Sequence, residues 1–310
     1  MRQNLVDERC FMNNRLLKAF VVLLLATLLF LPSPACLADQ AELEDIVAVD
    51  ERHYTCMFDG VKHAFLVDLP ETPDNSPLIL MLHGYGGTAE SFRTETGFEK
   101  DANPLGYTVV YVTGAPDPGD KTSATSWNSG IGSSPNRDVA FLTALAAYLQ
   151  QEYHLNERNT FAVGFSNGAF MAHRLALEAG STFSAVVSVA GTVSGSVWEE
   201  RLESCSTGLL QITGEKDNVV PKQSDGSARY AKDPAIEDVI EYYAAANNLT
   251  EQDVLPAGKS SVLTKYGSTA SARQVWHLLV KDGRHSWSGE RVTGINTNRL
   301  ILEYFETQLK

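Results

Sequence analysis

The chain has 310 residues, 44% hydrophobic, 9% aromatic and 20% charged, with a formal net charge of −13. That apolar content excludes a disordered or low-complexity polymer, and 4 cysteines in this length exclude a disulfide-dense mini-domain. An acidic chain with no basic patch repels phosphate backbones, so no nucleic-acid partner is expected.

The N-terminus carries Arg2, Arg9, Arg15 and Lys18 against Asp7 and Glu8, and the apolar run Ala19–Leu31 follows. That run is shorter than the ~20 residues needed to cross a bilayer core. Pro32-Ser33-Pro34 then leads to the small residues Ala35-Cys36-Leu37-Ala38, the pattern of a secretory signal peptide with its cleavage site. Residues 1–38 are therefore read as a signal peptide and residues 39–310 as one domain, secreted or periplasmic, with no stable membrane partner after cleavage. The alternatives are a membrane tether through the uncleaved segment or lipidation at Cys36. Cleavage leaves 21 basic against 36 acidic groups, a net charge of −15, and only Cys56 and Cys205. The two either pair or stay as buried free thiols, and both readings stand.

In the remaining chain, Tyr54–Phe58 and His63–Val67 flank Asp59-Gly60, an antiparallel hairpin signal. Near-continuous apolar runs predict strands at Leu78–Leu82, Tyr107–Val112, Thr160–Val163, Ala185–Val189, Leu209–Thr213 and Gln274–Val280. Such runs fit strands covered on both faces, as in a parallel sheet. Helices are predicted over Asp138–Tyr153, with Val139, Leu142, Leu145, Ala146 and Leu149 in one stripe, and over Asn167–Glu178. A third covers Ala235–Ala246, with Asp233 as N-cap before Pro234. A fourth covers Asn298–Leu309, with Leu300, Ile301, Tyr304 and Phe305 inward. Alternating strands and helices predict an α/β fold, a single domain with a mostly parallel sheet and helices on both faces. The stretch Gly114–Arg137 is the longest without an element, and such loops are commonly functional. Trp127 within it is either a hydrophobic plug that fixes the loop or part of a substrate wall.

The sharpest chemical signal is Gly164-Phe165-Ser166-Asn167-Gly168, a Gly-x-Ser-x-Gly between an apolar strand and an amphipathic helix. A nucleophile on so tight a turn needs neighbours without Cβ atoms, and the helix that follows offers N–H groups to an oxyanion. A serine hydroxyl needs a base. Of 7 histidines, His285 alone lies in a polar turn after the last apolar strand, the sheet edge where open α/β folds bind ligands. The orienting carboxylate is assigned to Asp217, just past Leu209–Thr213, with Glu215 in the same turn as competitor. The order Ser166, Asp217, His285 is that of an α/β-hydrolase. After another strand, Leu82-His83-Gly84-Tyr85-Gly86-Gly87 offers a backbone N–H to the oxyanion: Tyr85 is expected to serve with Asn167, with Gly86 as substitute for Tyr85 and His83 as a loop brace. There is no zinc-spaced Cys/His cluster, no His-Glu-x-x-His, no Walker loop and no Gly-x-Gly-x-x-Gly, so neither metal nor cofactor is expected.

These motifs, with Arg137–Leu142, Asp217-Asn218-Val219-Val220-Pro221 and Gly283-Arg284-His285-Ser286-Trp287, resemble the esterase family that includes polyhydroxybutyrate depolymerases, feruloyl esterases and acetylxylan esterases. The resemblance spans roughly residues 50 to 305. It implies an α/β-hydrolase fold, a triad of Ser166, Asp217 and His285, and cofactor-free cleavage of a small-molecule or oligomeric ester through an acyl-enzyme. Trp127 and Trp287 are the residues expected to touch substrate. Many relatives have a second glycine where Ala169 stands, a glycine near Arg284, and a proline after the tryptophan, where this chain has Ser288. Two rival readings are a serine peptidase on the same fold and a non-catalytic binding module on a hydrolase scaffold.

Overall fold

A computed structural model describes residues 42–132, 134–224 and 232–310. The proposed signal peptide and Cys36 lie outside the described residues. Strands β1 (Glu44–Ala48), β2 (His53–Phe58) and β3 (Val61–Asp68) form an antiparallel meander, with the Asp59-Gly60 turn between the last two. Then come β4 (Leu78–Leu82), α1 (Ala89–Thr96), α2 (Glu99–Ala102), β5 (Thr108–Thr113), and the two-residue strands β6 (Ala115–Pro116) and β7 (Thr125–Ser126). The middle of the chain holds α3 (Asp138–Tyr153), β8 (Thr160–Phe165), α4 (Asn167–Glu178), β9 (Ala185–Val189), α5 (Gly195–Glu199) and β10 (Gly208–Gly214). It closes with α6 (Ile236–Ala246), β11 (Gln252–Ala257), β12 (Ser261–Tyr266), β13 (Val275–Val280), α7 (Glu290–Thr293) and α8 (Thr297–Glu306).

The main sheet has 11 strands in the order β1-β2-β3-β5-β4-β8-β9-β10-β13-β12-β11. The run from β5 to β13 is parallel, and antiparallel strands flank it on both sides. The parallel part explains the unbroken apolar runs. In β4, Leu78, Leu80 and Leu82 enter the core under α3, α4 and α6, whereas Ile79 and Met81 enter the core under α1 and α8. Each alternate side chain thus finds an apolar layer. Several helix ends follow local chemistry: Thr88 and Ser91 form a reciprocal cap on α1, and Asn296 accepts the Arg299 N–H to open α8.

One expectation is corrected, one strand pair is added and one open choice is decided. Asp233 does not cap α6, whose first residue is Ile236 and whose N-cap is Ala235; its carboxylate instead accepts the Gly195 N–H (2.8 Å) at the start of α5. The sheet continues past β13 into a β12–β11 hairpin that was not foreseen. Cys56 and Cys205 are both buried and unpaired, and burial pushes the Cys56 thiol up to about 11.

Candidate active site

Ser166 sits between β8 and α4 with φ 53° and ψ −118°, a left-handed backbone conformation that costs a non-glycine residue energy. The turn is too tight for side chains on either flank. A Cβ on Gly164 would lie 1.9 Å from the Gly168 carbonyl oxygen, and one on Gly168 would lie 2.1 Å from that of Leu82. The Ser166 N–H is held by the Val189 carbonyl of the neighbouring strand (3.0 Å). The hydroxyl therefore stands on a turn fixed by the sheet itself.

The two partner loops emerge side by side because β10 and β13 pair in parallel, with Gly214 opposite Val280. The Glu215 N–H goes to the Val280 carbonyl (3.0 Å) and the Lys216 N–H to that of Gly283 (2.7 Å). The Glu215 carboxylate takes the Lys281 ammonium (2.8 Å) and the Asp282 N–H (3.2 Å), so it stitches the loops together from the outside. Asp217 turns inward, with a side chain only 1% exposed. Its Oδ1 accepts the N–H groups of Val219 and Val220 (both 2.9 Å), and its Oδ2 lies 2.9 Å from His285 Nδ1. An ionised carboxylate only accepts, so His285 Nδ1 carries the proton. Nε2, 2.9 Å from Ser166 Oγ, is left to accept the hydroxyl proton. Ser166, His285 and Asp217 thus form one hydrogen-bonded chain, and between the two acids of the β10 turn the geometry selects Asp217.

The other histidines are occupied elsewhere. His53 bridges Asp50 and Glu90 at the surface, His63 stacks on Phe141 (3.7 Å), and His154 closes α3 in a left-handed conformation. His173 lies between Gln211 and Tyr243, and His277 lies within β13. His83 braces its loop: Nε2 accepts the Gly114 N–H (2.9 Å), leaving Nδ1–H for the Gly84 carbonyl (2.6 Å). Burial lowers its pKa to about 4, which keeps the ring neutral.

A cleft of about 480 Å³ opens at Ser166, lined by Tyr85, Asp117, Trp127, Ile131, Asn167, Phe170 and Val220 among others. Tyr85 and Asn167 therefore both line the cleft at Ser166, whereas Gly86 gives its N–H to the Thr125 carbonyl (2.8 Å). Trp127 is 1% exposed and donates its indole N–H to the His83 carbonyl (2.9 Å), so it is a plug that also walls the cleft. Trp287 is not brought there. It packs edge-on against Phe92 (5.6 Å) and donates to Asn298 (3.1 Å), because the apolar layer under α8 claims it. Sequence reasoning missed Asp117, Ile131, Phe170 and Val220. Asp117 and Ile131 lie in the Gly114–Arg137 stretch, Val220 follows Asp217 and Phe170 lies on the buried side of α4, and no one motif ties the four together.

The Esterase family model, described as “Putative esterase”, matches residues 60–266, a span that includes Ser166 and Asp217. “Putative esterase NocK” of Nocardia uniformis subsp. tsuyamanensis is 29% identical over 242 residues, 71% of this chain and 68% of that protein. “Feruloyl esterase B” of Neurospora crassa is 25% identical over 48% of this chain, and the match spans 53% of that enzyme. Among solved structures, an acetyl xylan esterase from Aspergillus awamori superposes with a TM-score of 0.57 at 11% identity, over 79% of this chain and 94% of that one. A Bacillus cereus carboxylesterase gives 0.51 at 16%, over 81% and 96%. At these identities the structural likeness establishes the α/β-hydrolase fold.

Proposed function

The chain belongs to the Esterase family, and we propose that it is an exported serine carboxylic-ester hydrolase working through an acyl-enzyme. The observation that carries this reading is the continuous chain from Ser166 Oγ through His285 to Asp217 Oδ2, with both links at 2.9 Å. Ser166 Oγ attacks the ester carbonyl while His285 Nε2 takes its proton. The buried Asp217 carboxylate stabilises the imidazolium that results and holds the ring in the productive tautomer. His285 then returns the proton to the departing alcohol. Water, activated by the same nitrogen, releases the acid from Ser166. The N–H groups of Asn167 and Tyr85 are assigned to the developing oxyanion, each worth about 2.7–4 kcal/mol where such donors have been removed.

A cleft walled by Trp127, Ile131, Phe170 and Val220 suits an acyl or alcohol group of modest size. Export follows from the N-terminal pattern, and among the described residues no helix is long and apolar enough to cross a membrane. The test is hydrolysis of 4-nitrophenyl acetate and butyrate. Ser166→Ala should lower kcat on the order of 10⁶-fold, by analogy with a serine protease. Wild-type rates from that variant would remove the nucleophile assignment.

A further inference from the structure

We propose that the side chain of Asn167 is a positioning residue: by clasping the Trp127 peptide it locks the two oxyanion donors into one rigid unit. This rests on the hydrolase reading above and adds a role for a side chain where that reading uses only a backbone N–H.

The two assigned donors come from different parts of the fold. Asn167 opens α4, whereas Tyr85 lies on the loop after β4. Between them runs the segment 125–127. On one side it is bound to the Tyr85 loop by three hydrogen bonds. The Gly86 N–H goes to the Thr125 carbonyl (2.8 Å), the Thr125 hydroxyl goes to the Gly87 carbonyl, and the Trp127 indole N–H goes to the His83 carbonyl (2.9 Å). On its other side it is bound to Asn167. The side-chain Oδ1 accepts the Trp127 N–H (2.8 Å), while Nδ2 donates to Ser129 Oγ (2.9 Å) and, at 3.4 Å, to the Trp127 carbonyl. The amide thus meets both polar groups of one residue's backbone, as a neighbouring strand would.

The residue type follows from that task. A carboxamide is the short side chain that both donates and accepts. Aspartate would keep the bond from the Trp127 N–H, lose both donations, and place negative charge beside an oxyanion. Alanine would leave the Trp127 N–H and the buried Ser129 hydroxyl without this partner. Alanine cuts the side-chain tie between the Tyr85 loop and the nucleophile turn, and aspartate leaves only the single bond from the Trp127 N–H. A donor displaced by about 1 Å costs on the order of 10²-fold in rate.

The test compares Asn167→Ala, Asn167→Asp, Trp127→Phe and Asn167→Ala/Trp127→Phe on 4-nitrophenyl butyrate, with a trifluoromethyl ketone as a tetrahedral-adduct inhibitor. Asn167→Ala should lower kcat about 10²-fold with KM changed less than about threefold, and should weaken the ketone by a factor similar to the kcat loss. Asn167→Asp, close to isosteric and therefore expected to fold, should lose more than the alanine variant. Because the indole bond and the amide clasp act in series on one segment, the double variant should lose far less than the product of the single losses. The proposal is overturned if Asn167→Asp keeps kcat within threefold, if ketone affinity is unmoved while kcat falls, or if the two losses multiply. A wild-type protein that neither cleaves esters nor binds the ketone would instead overturn the hydrolase reading, and this inference with it.

Discussion

Asp217→Asn is the substitution whose effect the geometry defines most closely. The asparagine carbonyl can still accept the Val219 and Val220 N–H groups that Asp217 Oδ1 accepts now, so the loop should keep its shape. Its amide nitrogen then faces His285 Nδ1 in place of Oδ2. Two donors cannot share that position, so the imidazole moves its proton to Nε2 and presents a donor to Ser166 where it needs an acceptor. The imidazolium of the transition state also loses its counter-charge. For a side chain 1% exposed, that pair is worth about 3 kcal/mol at ~5 Å and an effective dielectric of ~20. Adding the cost of the wrong tautomer brings the total to the ~5.5 kcal/mol of a 10⁴-fold loss. The assay is kcat/KM on 4-nitrophenyl butyrate, with a thermal melt to show the fold intact. Glu215→Gln is the control: that carboxylate pairs with Lys281 at the loop surface, and its loss should stay within about threefold. A folded Asp217→Asn within tenfold of wild type, or a Glu215→Gln that costs more, would refute the reasoning.

Burial holds His63, His83, His173 and His277 at a pKa of about 4. The unfolded chain binds those protons near 6.5, so stability should be full above that pH and fall as pH drops toward 4. Burial raises Asp138 to about 6, and the sign reverses there: its contribution is lost as pH rises from about 4 to 6. Asp138→Asn should therefore gain on wild type across that window, by up to about 3 kcal/mol in urea unfolding. Gly164→Ala would set a Cβ 1.9 Å from the Gly168 carbonyl oxygen, and purified protein should show a lowered Tm with esterase activity lost. Val220→Trp should shrink the cleft and shift an acyl-chain series toward acetate over hexanoate by about tenfold or more.

Much of this site was legible because its chemistry demands local patterns. The glycines around Ser166 are required by backbone crowding, and β4 is apolar at every step and β9 at every step but Ser188 because both faces are covered, so those elements emerge with their observed bounds. The choice between Asp217 and Glu215 was not settled by the turn alone. It depends on which acid points inward, which the Val219 and Val220 N–H groups decide. The β11–β12 hairpin was hidden for a different reason. β11 carries Pro256, and all but one of its residues are exposed, so it shows no apolar alternation. Trp287 looked like a site residue because it stands two positions from His285, yet its ring turns into the α8 layer. Asn167 read as a backbone donor, and its side-chain bonds to a segment 40 residues away leave no trace in spacing.

The central claim is an activated hydroxyl at Ser166. Incubation with a fluorophosphonate, followed by peptide mass spectrometry, tests it without any choice of substrate. The account predicts one adduct per chain, on the peptide containing Ser166, formed far more slowly in His285→Ala. An unlabelled protein, or a label on another serine, would contradict it.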